Sequence, residues 1–234
     1  MCEQIVKILE GAWGNFKEYY DSNARKYSRG YYNKRLQELG EKKVKKVKSE
    51  VKNSHWICWN ESDMMVQLGR FFYDQLKIAT DLNNKALLNI EMHFDKNLNH
   101  ANFEGYSFHN KLWRVSSILK DKLGDSRKFP KLDLIITRED NFGPFMLCAE
   151  AKSFHASVRN DTIENAVEKD IRTLAAIKEC GITERIAYIV FDDYYYNMKN
   201  PKDVEKIIGD YAKKYKIMNE LKVMYHDSSC KIPK

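Results

Sequence analysis

Two apolar stretches, each carrying a carboxylate, constrain this chain more than any other feature in it. Lys131-Leu132-Asp133-Leu134-Ile135-Ile136 and Phe145-Met146-Leu147-Cys148-Ala149-Glu150-Ala151-Lys152 read as two strands that follow Pro130. The connection from Thr137 to Pro144 holds Asp140, Asn141, Gly143 and Pro144, whose backbone preferences favour a turn, so a hairpin is expected. Side chains two apart in a strand share a face. Glu150 and Lys152 therefore point the same way, and Asp133 comes within reach of whatever Glu150 touches. Charged groups among leucine, isoleucine and cysteine are costly to desolvate unless paired or metal-bound. Two explanations fit, a hard-metal site with a cation beside it or a structural salt bridge between Lys152 and an acid. Glu-x-Lys alone decides nothing, since it also occurs at Glu41-Lys43, Glu50-Lys52 and Glu220-Lys222. Only the pair at Glu150 ends an apolar run and follows an acid embedded in another.

At 234 residues the chain is long enough for one domain with a proper core and room for an accessory subdomain. A hydrophobic share of 43% against a charged share of 31% fits a globular protein and excludes a disordered one. No apolar run approaches membrane-spanning length and Met1-Cys2-Glu3-Gln4 does not open a signal peptide, so an intracellular, cytoplasmic protein without a membrane partner is expected. The 5 cysteines are scattered without a Cys-x-x-Cys pair, and the 6 histidines show no zinc-ligand spacing. Reduced thiols are expected, and any metal is expected to be held by oxygen.

The net charge of +7 is unevenly placed: residues 1–55 carry 13 Lys or Arg against 7 Asp or Glu, which leaves +1 for the remainder. Such a segment suits a polyanion partner, because phosphate neutralisation is a general source of nucleic-acid affinity; it also suits a solvated lysine-rich helix. Ile5, Leu9, Trp13, Phe16 and Tyr20 recur at steps of three and four, so the first twenty residues read as an amphipathic helix. Beyond it, tyrosines interleave with Arg25, Lys26 and Arg29, in a pattern that serves base stacking and phosphate contact or the seating of one helix on another. A second basic helix is expected over Glu41 to Lys52, where Lys42, Lys45 and Lys46 are candidate phosphate contacts.

Asn60 can cap the next helix, with Asp63 three residues on, and Glu61, Met65, Leu68, Phe72, Leu76 and Ala79 follow one face. Leu87 to Phe94 reads as a strand, with Glu91 and His93 sharing one face. A long insertion, Asp95 to Phe129, comes next and offers Arg114 as a further candidate contact to substrate. A helix through Ile163, Val167, Ile171 and Leu174 with Gly181 at its end, and the apolar run Ile186 to Phe191, complete the centre. A final helix over Pro201 to Met218 and a short edge strand, Leu221 to Tyr225, close the chain.

With Asp133, Glu150 and Lys152 in this setting, the chain resembles the PD-(D/E)xK nuclease superfamily, whose core is a helix, three strands, a helix and a fourth strand. The resemblance runs from Asn60 to Asp193 and rests on element order more than on any single letter. It implies an α/β fold: a restriction-endonuclease-like core, αβββαβ, with a central mixed four-stranded sheet flanked by helices. Residues 1–55 then form a basic helical N-terminal extension and residues 56–234 the nuclease-like domain. The implied activity is metal-dependent hydrolysis of DNA phosphodiester bonds, with RNA left open as substrate and a homodimer as the assembly that double-strand cutters often use. Asp133 and Glu150, helped by Glu61 and the Ala151 carbonyl, are the implied ligands of Mg²⁺ or Mn²⁺. Lys152 is the implied group that orients the attacking water or stabilises transition-state charge. The superfamily's Pro-Asp dipeptide is here Pro130-Lys131-Leu132-Asp133, which sets the acid deeper in its strand. Two other readings stand beside this one: a non-catalytic nucleic-acid-binding module that retains the fold, and an unrelated α/β protein in which these residues are salt bridges.

Overall fold

Helix α1, Cys2–Leu39, forms on the stripe of Ile5, Leu9, Trp13, Phe16 and Tyr20, and all five side chains are buried. It runs well past the twenty residues that the stripe covers, because no proline interrupts it before Gly40. Gly40 takes a φ of 72° and donates its N–H to the Leu36 carbonyl, which ends the helix in the left-handed turn that glycine adopts at least cost. The computed structural model describes residues 2–40, 61–79, 85–93, 131–138, 144–154, 160–192 and 204–227. The basic helix expected over Glu41 to Lys52 and the whole Asp95 to Phe129 insertion lie outside these residues.

After α1 come α2 (Glu61–Ile78), β1 (Ala86–His93), β2 (Lys131–Arg138), β3 (Leu147–Phe154), α3 (Asn160–Glu179), β4 (Ile186–Asp192), α4 (Val204–Lys214) and β5 (Leu221–Asp227). The strands form one sheet in the order β1-β2-β3-β4-β5. β1, β2 and β3 are an antiparallel meander, so the expected hairpin is present, while β3, β4 and β5 run parallel. Among the described residues the sheet therefore has five strands, and the four-stranded count is corrected. The cause is β5, whose residues from Leu221 to Asp227 pair with β4 along its whole length, from Ile186 to Asp192. It is an edge strand, as expected, but runs two residues past Tyr225 to Asp227.

Alternation along the strands divides the interior into two apolar layers. Ala149, Ala151, Ala187, Ile189 and Phe191 face one way and pack with α1 and α2, through Phe16, Tyr20, Met65, Leu68 and Phe72. Cys148, Phe154, Ile186, Tyr188 and Val190 face the other way, against Ile163, Val167, Ile171 and Leu174 of α3 and Val204 and Ile208 of α4. Residues 2–20 thus belong to the same core as the sheet. Since Ile5 is fully buried, Ile5→Val is expected to cost about 1 kcal/mol in urea unfolding. A cost near zero would mean that α1 does not dock.

Helix α3 closes as its glycine suggests. Gly181 (φ 68°) donates to the Lys178 carbonyl and Ile182 to that of Ile177, which together satisfy the last turn. Among the described residues no helix is long and apolar enough to cross a membrane, and Cys2, Cys148 and Cys180 are free thiols.

Candidate active site

The site forms where the hairpin comes apart. β2 and β3 pair at Ile136–Leu147, Ile135–Cys148 and Leu134–Ala149, and the ladder ends there. One residue further along, Asp133 and Glu150 would be opposite each other. Instead of a backbone partner, the Ala151 N–H donates to Asp133 Oδ2 at 2.8 Å. A carboxylate has taken over a rung of the sheet. On its other side β3 stays fully paired to β4, with Glu150 beside Tyr188 and Lys152 beside Val190, so β3 is held firmly while its other edge opens.

Glu150 and Lys152 share a face, the one covered by α3. That helix delivers Asp170, whose Oδ2 accepts a hydrogen bond from the Tyr188 hydroxyl at 3.1 Å and lies 3.6 Å from Lys152 Nζ. From the opposite layer, the first residue of α2 reaches the end of the sheet, where Glu61 Oε2 is 3.2 Å from Lys152 Nζ and accepts from the Ser153 backbone. The cluster is graded in depth. Glu150 and Asp170 are 6% and 7% exposed, whereas the side chains of Lys152 and Glu61 are 25% and 34% exposed. Its inner end is dry and its outer end meets solvent.

Among the described residues, Glu61, Asp133, Glu150 and Asp170 surround one ammonium, so their charges do not balance. Burial, then the charges of Asp170 and Asp133, raise the Glu150 carboxyl well above the carboxylate range; it keeps its proton and hydrogen-bonds to Asp133. Burial also lifts Asp170 to about 6, against the opposing pull of Lys152, and raises Glu61 in the same way. At Lys152 burial acts to release the proton, but Asp170, then Glu61 and Asp133, outweigh it, and the ammonium is held more firmly than usual. Burial and Asp170 also raise Tyr188, which remains a donor.

These directions set a pH dependence. A carboxyl group whose folded pKa lies above its unfolded value contributes stability below the unfolded value and loses it as pH rises through the folded one. For Asp170 that window runs from 3.8 to about 6. The metal-free wild type is therefore expected to lose stability relative to Asp170→Asn, on the order of 1–3 kcal/mol, as pH rises across that window. Urea unfolding of both proteins at each pH reads the difference, and a constant difference would contradict the account.

All the donors here are oxygen, and Asp133 and Glu150 stand close enough to share a proton. Two carboxyl groups at that separation coexist with a proton or a cation between them, and this chemistry fits Mg²⁺ or Mn²⁺. Among the described residues no three His, Cys, Asp or Glu side chains form a ready-made metal cage; the carboxylates converge on the Lys152 ammonium instead. Glu61, implied as a metal ligand, is engaged with Lys152. Ala151 lies between Glu150 and Lys152, with its N–H on Asp133.

The implied nucleic-acid contacts are outside what the structure describes. Arg25, Lys26 and Arg29 are on the backbone of α1, and their side chains are outside the described ones. Lys42, Lys45, Lys46 and Arg114 lie outside the described residues, as do the side chains of Glu91 and His93. Sequence reasoning missed Asp170 and Tyr188. A signal existed for the first: Asp170 interrupts the apolar stripe of α3 three residues after Val167 and four before Leu174. Comparison with family models, with curated proteins and with solved structures returns no match. Fold and site together define an α/β protein with a buried carboxylate–ammonium centre at the open end of a hairpin in a five-stranded mixed sheet.

Proposed function

We propose that the protein is a metal-dependent nuclease of PD-(D/E)xK type that hydrolyses DNA phosphodiester bonds at this centre. The observation that carries the reading is the charge deficit at the point where β2 and β3 separate. Asp133 and Glu150 stand within hydrogen-bond contact, backed by a dry interior, with a firmly protonated Lys152 beside them. A salt bridge needs one acid for one base, and a structural role leaves this surplus of acid without a reason. The element order also supports the reading, since an acid on β2 and Glu-x-Lys on β3 are followed by a helix and a parallel strand.

Asp133 and Glu150 would hold Mg²⁺ or Mn²⁺, with the Ala151 carbonyl and Glu61 as further oxygen donors. Such an ion, when bound, supplies Lewis-acid polarisation of the phosphoryl oxygen and a more acidic water. Lys152 keeps its proton, so it serves as a hydrogen-bond donor to charge developing on a phosphoryl oxygen and not as the base. In the reaction the oxygen of water bonds to phosphorus, the bond from phosphorus to one sugar oxygen breaks, and that oxygen leaves with a proton. The buried inner wall, formed by Glu150, Asp170 and Tyr188, keeps bulk water from screening these charges.

One observation favours a second reading, a non-catalytic nucleic-acid-binding module: Glu61 is paired with Lys152 in this structure. Cleavage separates the two. Supercoiled plasmid, linear duplex and single strand are incubated with Mg²⁺ or Mn²⁺, against EDTA and against Asp133→Asn. Metal-dependent cleavage that the variant lacks is the expected result. Salt-sensitive binding without cleavage would support the binding module.

A further inference from the structure

Lys152 has two acidic partners, and they differ in kind. Glu61 is nearer, but it is the first residue of α2 and its side chain is 34% exposed. Asp170 is slightly farther, yet its side chain is 10% exposed and its Oδ2 is fixed by a buried hydroxyl from the neighbouring strand. Water screens the first contact far more than the second, so the more distant carboxylate exerts the stronger hold. The support for Asp170 is also rigid. Tyr188 is fully buried on β4 directly beside Glu150, and Asp170 lies in the middle of a twenty-residue helix packed on the sheet.

We infer that Asp170, anchored by the Tyr188 hydroxyl, is the positioning residue that holds the Lys152 ammonium in the centre, while Glu61 is its exchangeable partner. This inference rests on the proposed nuclease reading for its purpose and on geometry alone for its content. An ammonium held from the helix side stays in place when Glu61 turns away, so Glu61 is free to serve as an oxygen donor to a cation without loss of the lysine. Asp170 itself touches no reacting atom; it acts through Lys152.

The test uses the full chain carrying ¹⁵N-lysine, with the Lys152 ammonium resonance assigned by its loss in Lys152→Arg. In wild type the ammonium order parameter is expected to be in the rigid range. In Asp170→Asn it should fall below about 0.6, the flexible range. Glu61→Gln should leave it near the wild-type value. Tyr188→Phe, which keeps the ring and removes only the anchoring hydroxyl, should give an intermediate fall and decides the matter if Asp170→Asn does not fold. An unchanged order parameter in Asp170→Asn and Tyr188→Phe, or an equal fall in Glu61→Gln, overturns the inference.

Kinetics on the same proteins separate this inference from the nuclease reading. If wild type cleaves, Asp170→Asn should lower kcat by about tenfold or more with KM little changed, the pattern of a lost transition-state contact. Equal kcat in the two proteins would overturn the positioning role and leave the nuclease standing. If wild type cleaves nothing, the nuclease reading fails, and the order parameters still decide whether Asp170 holds Lys152.

Discussion

Glu150→Gln is expected to lower metal-dependent cleavage at least about 10²-fold while the metal-free protein becomes more stable. The two effects share one cause. Glu150 is 6% exposed and flanked by Asp170 and Asp133, so without a cation it keeps its proton and hydrogen-bonds to Asp133. Glutamine has the shape of that protonated acid and can donate to Asp133 in the same way, so the fold loses nothing. It also removes the cost of retaining a proton that the unfolded chain gives up at neutral pH, so a gain in stability at pH 7 should follow. A neutral amide cannot balance a dication, however, and the proposed chemistry depends on that charge. Initial rates of plasmid nicking and urea unfolding, measured on the same preparation, read both halves. Cleavage within about fivefold of wild type would remove Glu150 from the mechanism. A large destabilisation would mean that Glu150 is a structural anion.

The second large effect runs in the opposite direction for stability. Lys152→Ala removes a cation that Glu61 and Asp170 share, 3.2 Å and 3.6 Å from its Nζ. Removing one member of a buried ion pair commonly costs about 3–5 kcal/mol, because the remaining charge is left in a poorly solvating interior. The lower end is expected here, since Glu61 is partly exposed and both acids can take up protons. The loss should therefore be smallest at and below about pH 6, where Asp170 is protonated even in wild type, and grow as pH rises above it, because Asp170 without Lys152 is raised further. Cleavage should fall to background. Retained cleavage by Lys152→Ala would refute the role given to lysine, and a stability loss independent of pH would show that the cost is packing and not charge.

The centre of this site was legible because of its strand periodicity. Two acids and a lysine in apolar runs with a turn between them must lie near one another if the runs pair, and Asp133, Glu150 and Lys152 do. Glu61 was reachable by a related argument, as an acid on the stripe of α2 at its first turn. Asp170 was visible in principle as a charge within the apolar stripe of α3, yet it looked like one more polar residue on an amphipathic helix. Tyr188 gave no such sign. It sits in a continuous apolar run, and only the pairing of β3 with β4 places its hydroxyl beside the acids.

Element ends followed the same division between local and distant causes. Gly40 and Gly181 mark helix ends through a local backbone preference. The last helix stops at Lys214, short of the expected Met218, because Lys216 adopts a φ of 61°, a conformation that its side chain does not advertise. The full length of β5 was hidden for a different reason. Leu221 to Asp227 alternates weakly by itself, and it becomes a seven-residue strand only because β4 offers a whole edge to pair with. Tertiary pairing decides such cases, and no local pattern encodes it.

The most direct measurement is a Mg²⁺ and Mn²⁺ titration of unfolding free energy at neutral pH, on wild type and Glu150→Gln side by side. A cation that binds the folded state alone stabilises it by about 2.7 kcal/mol at a hundred times its dissociation constant. Wild type should show that rise for both ions and Glu150→Gln should lose most of it, because the carboxyl pair that needs a cation is then half neutral. An equal response in the two proteins, or none in wild type, would contradict the claim that the surplus acid at the parting of β2 and β3 is a divalent-cation site.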